Sequence, residues 1–160
     1  MDSFDADVLI YAAVAGHELG RRVRALFPVD PTGGIGFAIG SVLLVPELLT
    51  KPLRDKATDE VDELSSLLGR LDLLPTDEAT AELATALGAS YGLRAVDAVH
   101  LATAVGAGAD RFLTNNRSDF SKSITEIDVV YPDELAEPEE LTERDERLDQ
   151  HAGAVDPRDH

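Results

Sequence analysis

The stretch from Leu93 to Phe120 holds the side chains most able to do chemistry. In its first half, Ala95, Val96, Ala98, Val99, Leu101, Ala102, Ala104 and Val105 cover nearly the whole circumference of a helix. A helix that is apolar almost all round is buried. Arg94, Asp97, His100 and Thr103 recur every three residues and so form one polar stripe along it. An ionised Asp in such a helix is costly unless it is paired or bound to a metal. Asp97 therefore needs a partner, and Asp5, Glu47 and Asn116 are the positions that can converge on it. Carboxylates with no neutralising group repel one another, which raises a pKa or demands a cation. Oxygen ligands in a chain without Cys point to a hard ion, Mg²⁺ or Mn²⁺. One or two such ions can polarise a phosphodiester and make hydroxide from bound water.

Each acid alone has a plainer reading. Asp5 could be a turn residue, Glu47 a first-turn helix acid, and Asp97 half of a pair with Arg94 or His100. His100, one helical turn from Asp97, could be a general base, but a buried His is more often a hydrogen-bonded core residue. Arg94 could pair with Asp97 or face a phosphate. What favours the joint reading is where the elements place these residues.

Asp2–Ala15 opens polar and turns apolar at Val8. We read a short strand with Asp5 at its end, then Asp7 as the N-cap of a helix from Val8; one strand through Tyr11 is the alternative. His17–Phe27 has an amphipathic pattern. Pro28, Pro31, Gly33 and Gly34 mark a loop. Ser41–Val45 is a buried strand candidate, and Pro46 sits where a helix can begin, which puts Glu47 at the junction. Helices follow over 58–69, 76–91 and 94–105, with strands at 71–74, 111–113 and 127–130 and a short helix from Ser118 or Asp119. Alternating strands and helices predict a parallel α/β sheet, whose sites form at the carboxyl ends of the strands. Asp5, Glu47 and Asn116 fall at or just past those ends, and Asp97 near the start of the buried helix.

Residues 1–131 form the expected domain. Residues 132–160 form an appendage; 133–160 contain eleven acids against three arginines, which reads as a disordered acidic tail with a transient helix around 139–148. With no Cys, disulfides, thiolate zinc sites and Cys nucleophiles are excluded. No apolar run is long enough for a membrane span, and the first residues lack the basic start of a signal peptide, so a soluble, cytoplasmic protein is expected. The glycines at 33, 34 and 36 are not followed by the Lys-Ser/Thr of a phosphate loop.

The net charge is −17, with Lys only at 51, 56 and 122. Such a surface repels nucleic acid in ordinary buffer. Either the protein avoids nucleic acid, or it is adapted to molar salt, where the Debye length shrinks to about 3 Å. Acid excess with scarce Lys fits the second, halophilic reading. It predicts a lower melting temperature in dilute buffer than in molar KCl, because like charges then repel unscreened. Equal melting temperatures would count against it.

Four short motifs complete the reading. Phe4-Asp5-Ala6-Asp7-Val8-Leu9 resembles the Asp-Thr-Asn-Val-Leu opening of PIN-domain ribonucleases. Val45-Pro46-Glu47-Leu48 is similar to their second acidic position, and the stretch from Leu93 to Ala104 to their third motif. Phe112-Leu113-Thr114-Asn115-Asn116 resembles the fourth, which usually reads Thr-Asn-Asp. The resemblance covers roughly residues 1–131, and the nearest subgroup is the VapC-type toxins of toxin–antitoxin pairs. It implies a three-layer α/β sandwich with a central parallel sheet flanked by helices. It implies a metal-dependent endoribonuclease, with Asp5, Glu47 and Asp97 holding Mg²⁺ or Mn²⁺ and Asn116 completing the catalytic set. Asp119, Thr114, Arg94 and His100 are supporting candidates. An RNA substrate, an antitoxin partner and a homodimer are implied as well. Two departures stand out. Ala6 replaces the usual Thr or Ser, and Asn116 stands where Asp is usual, which removes one negative charge. A catalytically weakened binding module is therefore the alternative.

Overall fold

The computed structural model describes residues 1–27 and 38–138. The loop expected around Pro28–Gly34 and residues 139–160 of the tail expected over 132–160 lie outside the described residues. Five short strands, β1 (Asp2–Phe4), β2 (Ala38–Ser41), β3 (Asp72–Leu74), β4 (Arg111–Leu113) and β5 (Asp128–Val130), form one sheet in the order β3-β2-β1-β4-β5. Every pairing is parallel. Among the described residues six α-helices accompany them: α1 (Ala6–Ala13), α2 (Glu18–Arg24), α3 (Leu44–Arg54), α4 (Thr58–Leu68), α5 (Glu78–Tyr91) and α6 (Ala95–Gly106).

The sheet separates two apolar clusters. Successive residues of a strand face opposite ways. Thus Phe112 and Val129 join Leu87, Leu101 and Phe120 on one side, while Leu113 and Val130 join Val8, Leu9, Val23, Leu44 and Leu64 on the other. The α/β sandwich expected from the alternation of elements is the fold observed. The chain leaves β1 towards β2 and β3 and later returns to the other side of β1 as β4 and β5. The strand order reverses at β1, where a crevice opens at the carboxyl edge of such sheets.

Several boundaries differ from the sequence expectation, each for a local reason. Helix α1 starts at Ala6 with Asp5 as its N-cap, not at Val8 with Asp7. Asp7 is drawn to a distant backbone amide instead. Strand β2 ends at Ser41, and Leu44 and Val45 already belong to α3. Pro46 is tolerated in that first turn because the amides there have no carbonyl to meet. Glu47 thus projects from the helix rather than standing at the junction. No helix opens at Ser118 or Asp119. The Asn116 side chain caps a turn there, accepting from the Asp119 amide at 3.3 Å, while the Phe120 amide reaches the Asn116 carbonyl at 2.9 Å. Gly92, at φ 70°, ends α5 in the left-handed conformation that glycine adopts without strain. That turn sends the chain straight into α6.

Packing continues past Tyr131. A 3₁₀ turn at Pro132–Glu134 is tied to α2, where the Arg22 guanidinium donates to the carbonyls of Asp133 and Leu135, both at 3.0 Å, and Leu135 is buried in the core. Among the described residues, no helix is long and apolar enough to cross a membrane.

Candidate active site

Asp5 follows β1 directly and is only 5% exposed. One carboxylate oxygen accepts from the Ala6 amide and the other from the Thr114 hydroxyl, each at 2.8 Å. Thr114 itself is buried at the end of β4, next to β1 in the sheet. Burial pushes the Asp5 carboxyl up, against the hydrogen bond from Thr114, which lowers it.

Asp7 lies in the first turn of α1 and is half-buried. Its Oδ2 accepts from the Asn115 amide at 2.9 Å, and its Oδ1 is buried without a partner. Burial, with the Asp5 charge adding to it, pushes its carboxyl up to about 7. Sequence reasoning took Asp7 for a helix cap and missed this placement. Its partner lies 108 residues away, and no local spacing announces such a contact.

Glu47 Oε2 sits 2.6 Å from Nε2 of the fully buried His100. A carboxylate accepts only, so Nε2–H is the donor. Nδ1 of His100 has no partner. The His100 ring therefore faces Glu47 rather than solvent, which favours a buried hydrogen-bonding role over a free general base. Asp97, in the first turn of α6, is half-buried and has no hydrogen bond or ion pair among the described residues. Burial raises its carboxyl, and the Asp119 charge raises it further; Arg94 works against both. Arg94 itself is exposed at the N-cap of α6 and forms no ion pair with Asp97.

Asn116 is turned inward on its own turn. Its Nδ2 donates to Asp119 at 2.7 Å, and its Oδ1 accepts from the Ser118 hydroxyl at 2.8 Å and from the Asp119 amide. Its backbone amide reaches Thr114 Oγ1 at 3.1 Å.

The fields of these groups overlap. Asp5 feels Glu47 and His100, and Asp97 feels Asp119, Glu47 and His100. The carboxyl edge of the sheet thus gathers acids from four separated segments, with His100 and Arg94 as nearby cationic or polar groups. As placed, no three His, Asp or Glu side chains among the described residues stand close enough to hold a metal ion. Glu47 is engaged by His100, which keeps it from an ion.

A parallel α/β domain with acids facing one another at the carboxyl edge of its sheet is thereby defined. The PIN domain family model matches residues 4–123. The chain belongs to the PIN domain family. Two solved structures share the fold. One, a toxin–antitoxin complex from Klebsiella pneumoniae, matches with a TM-score of 0.65 and 23% identity over 82% of this chain and 98% of that one. The other, VapBC2 from Rickettsia felis bound to a DNA fragment from their promoter, matches with a TM-score of 0.61 and 15% identity over 81% and 97%. No curated protein matches in sequence.

Proposed function

We propose that this PIN domain is a metal-dependent endoribonuclease and the toxin of a toxin–antitoxin pair. The observation that carries the reading is the gathering of Asp5, Glu47 and Asp97 at one sheet edge, with the Asp5 and Asp97 carboxyls held above their ordinary range. Acids so placed without a matching set of cations favour a bound one. The donor set is all oxygen and fits Mg²⁺ or Mn²⁺. Asp5, Glu47 and Asp97 are the residues to hold the ion, with Glu47 leaving His100 to do so. When bound, the ion polarises a phosphodiester oxygen and lowers the pKa of bound water. Asp5 is oriented by Thr114 and the Ala6 amide, so little side-chain freedom is left to lose. His100 holds Glu47 only in the metal-free protein, and the role proposed for Arg94, exposed at the N-cap of α6, is to meet an RNA phosphate.

The toxin assignment draws on the two structural neighbours, one described as a toxin–antitoxin complex and the other as VapBC2 bound to a DNA fragment from their promoter. An antitoxin and a second copy of the chain are the proposed partners, and the cytoplasm the proposed compartment. Asp119, beside Asn116 and Asp97, is a supporting acid.

The test is cleavage of a mixed RNA pool with Mn²⁺ or Mg²⁺ and with EDTA. Cleavage that requires the ion is expected, and no cleavage under any condition would favour the binding-module reading. That second reading draws on the Asn116 side chain, whose amide is spent on Asp119. A parallel assay on phosphate monoesters separates a general phosphohydrolase. In the absence of RNA, Mg²⁺ should raise the melting temperature in proportion to the logarithm of its concentration above Kd. A flat response would argue against the ion site.

A further inference from the structure

We propose that Arg117 binds a phosphate of the RNA backbone at the carboxyl edge of the sheet, beside the turn that carries Asn116. The inference rests on the ribonuclease reading above and adds a residue that grips the substrate. A chain of net charge −17 has few groups with which to hold a polyanion, so the cations next to the acids matter most. Asp97 feels both Arg94, three residues earlier at the N-cap of α6, and Asp119 of the turn after β4. Arg117 stands in that same turn, two residues before Asp119. The two segments that meet at Asp97 thus bring one arginine each.

Arg117 is half-exposed, and its guanidinium lies over the ring of the buried Tyr131, 4.1 Å from the ring centroid. The ring face attracts a cation so placed, which leaves the side chain less freedom to lose on binding. Its Nη2 donates to Asp133 at 2.6 Å, while Nε and Nη1 make no hydrogen bond among the described residues. Most of the five donors of this arginine are therefore unspent. Asp133 is half-exposed as well, and an exposed ion pair is weak enough to yield to a phosphate. Lys122 lies over the same ring at 4.8 Å but is committed, its Nζ donating to the Val129 carbonyl and to Glu134. The planar fork of Arg117 also suits two phosphate oxygens at once, which an ammonium does not.

The test is fluorescence anisotropy of a labelled single-stranded RNA with the full chain in EDTA, at a series of KCl concentrations. Arg117→Gln should weaken binding roughly tenfold, the low end for a hydrogen bond to a charged group, and should do so alike for RNAs of different sequence. The slope of log affinity against log salt should differ from that of the parent by about 0.7, the share of one phosphate on a single strand. Arg117→Lys should keep the parent slope while losing part of the affinity. Asp133→Asn should tighten binding about threefold by releasing Arg117, the scale of an exposed ion pair. In the Arg117→Gln background the same change should give no gain. If Arg117 only braced the turn, Asp133→Asn would weaken binding as Arg117→Gln does. A gain from Asp133→Asn that persists without Arg117 would mark a general charge effect. Either result, or binding by Arg117→Gln at the parent level, overturns the proposal and leaves the ribonuclease reading standing. No binding by the parent overturns it too, and no cleavage with Mn²⁺ besides would take the ribonuclease reading with it.

Discussion

Asp97→Asn is expected to abolish RNA cleavage while leaving the fold intact and raising the melting temperature of the metal-free protein. Asn and Asp are nearly isosteric, and Asp97 makes no hydrogen bond or ion pair among the described residues that Asn would break. What changes is one charge. That charge is disfavoured by burial and by Asp119, as the raised carboxyl records, so its removal relieves strain when no cation is present. With a cation, the role proposed for the same charge is to bind it. Losing it should cost at least about a hundredfold in rate, the upper range for groups that merely support a metal. Circular dichroism checks the fold, and a gel assay in Mn²⁺ checks the rate. Cleavage at the parent rate would show that the three-acid mechanism is wrong. A drop in metal-free melting temperature would show that Asp97 has a structural role instead.

Much of this site was legible in the chain because its parts are local. The stripe Arg94, Asp97, His100, Thr103 follows from helical spacing alone, and α6 is found over Ala95–Gly106 with His100, Leu101, Thr103 and Ala104 buried. Alternating elements implied a parallel sheet, and that rule put Asp5 and Asn116 at or just past the ends of β1 and β4, two strands that pair in the sheet. The limits of local reasoning show at the contacts between segments. Glu47 and His100 are 53 residues apart, and nothing in either neighbourhood announces their hydrogen bond. Asp7 looked like a helix cap because Asp is good at capping, yet Asp5 two residues earlier takes that role. The run Ser41–Val45 reads as a buried strand, yet five apolar or small residues fit the start of a helix equally well, and Leu44 and Val45 belong to α3. Past Tyr131, acidic composition hid the anchoring of Leu135, since one buried Leu among acids barely changes a composition reading.

Stability against pH should run opposite to the usual pattern for carboxylates, and Asp7 should be the main reason. The Asp7 carboxyl is pushed from 3.8 to about 7 in the folded protein, by burial first and by Asp5 second. The folded state therefore holds this proton more tightly than the unfolded chain does. Between pH 4 and pH 7 the unfolded chain has released it while the folded protein still keeps it, so raising the pH favours unfolding. The shift of about three units sets an upper bound near 4 kcal/mol on the loss across that window, at about 1.4 kcal/mol per unit. Asp5 and Asp97, also raised, act in the same direction. The growing negative charge of the surface does so too. The Glu134 carboxyl, held low by its hydrogen bond from Lys122, opposes the trend, its contribution being lost only as the pH falls into the acid range. The metal-free protein should accordingly be most stable near pH 4–5 and lose stability steadily towards pH 7. Asp7→Asn should flatten the curve, its advantage over the parent growing with pH, because an amide accepts from Asn115 without titrating. Saturating Mn²⁺ should flatten it as well, since the ion binds the deprotonated carboxylates. Denaturant titrations of both proteins at half-unit steps from pH 4 to 8 in EDTA measure this directly. Parallel curves for parent and variant would mean that Asp7 does not hold a proton in this range, and the account of its buried carboxyl would fall.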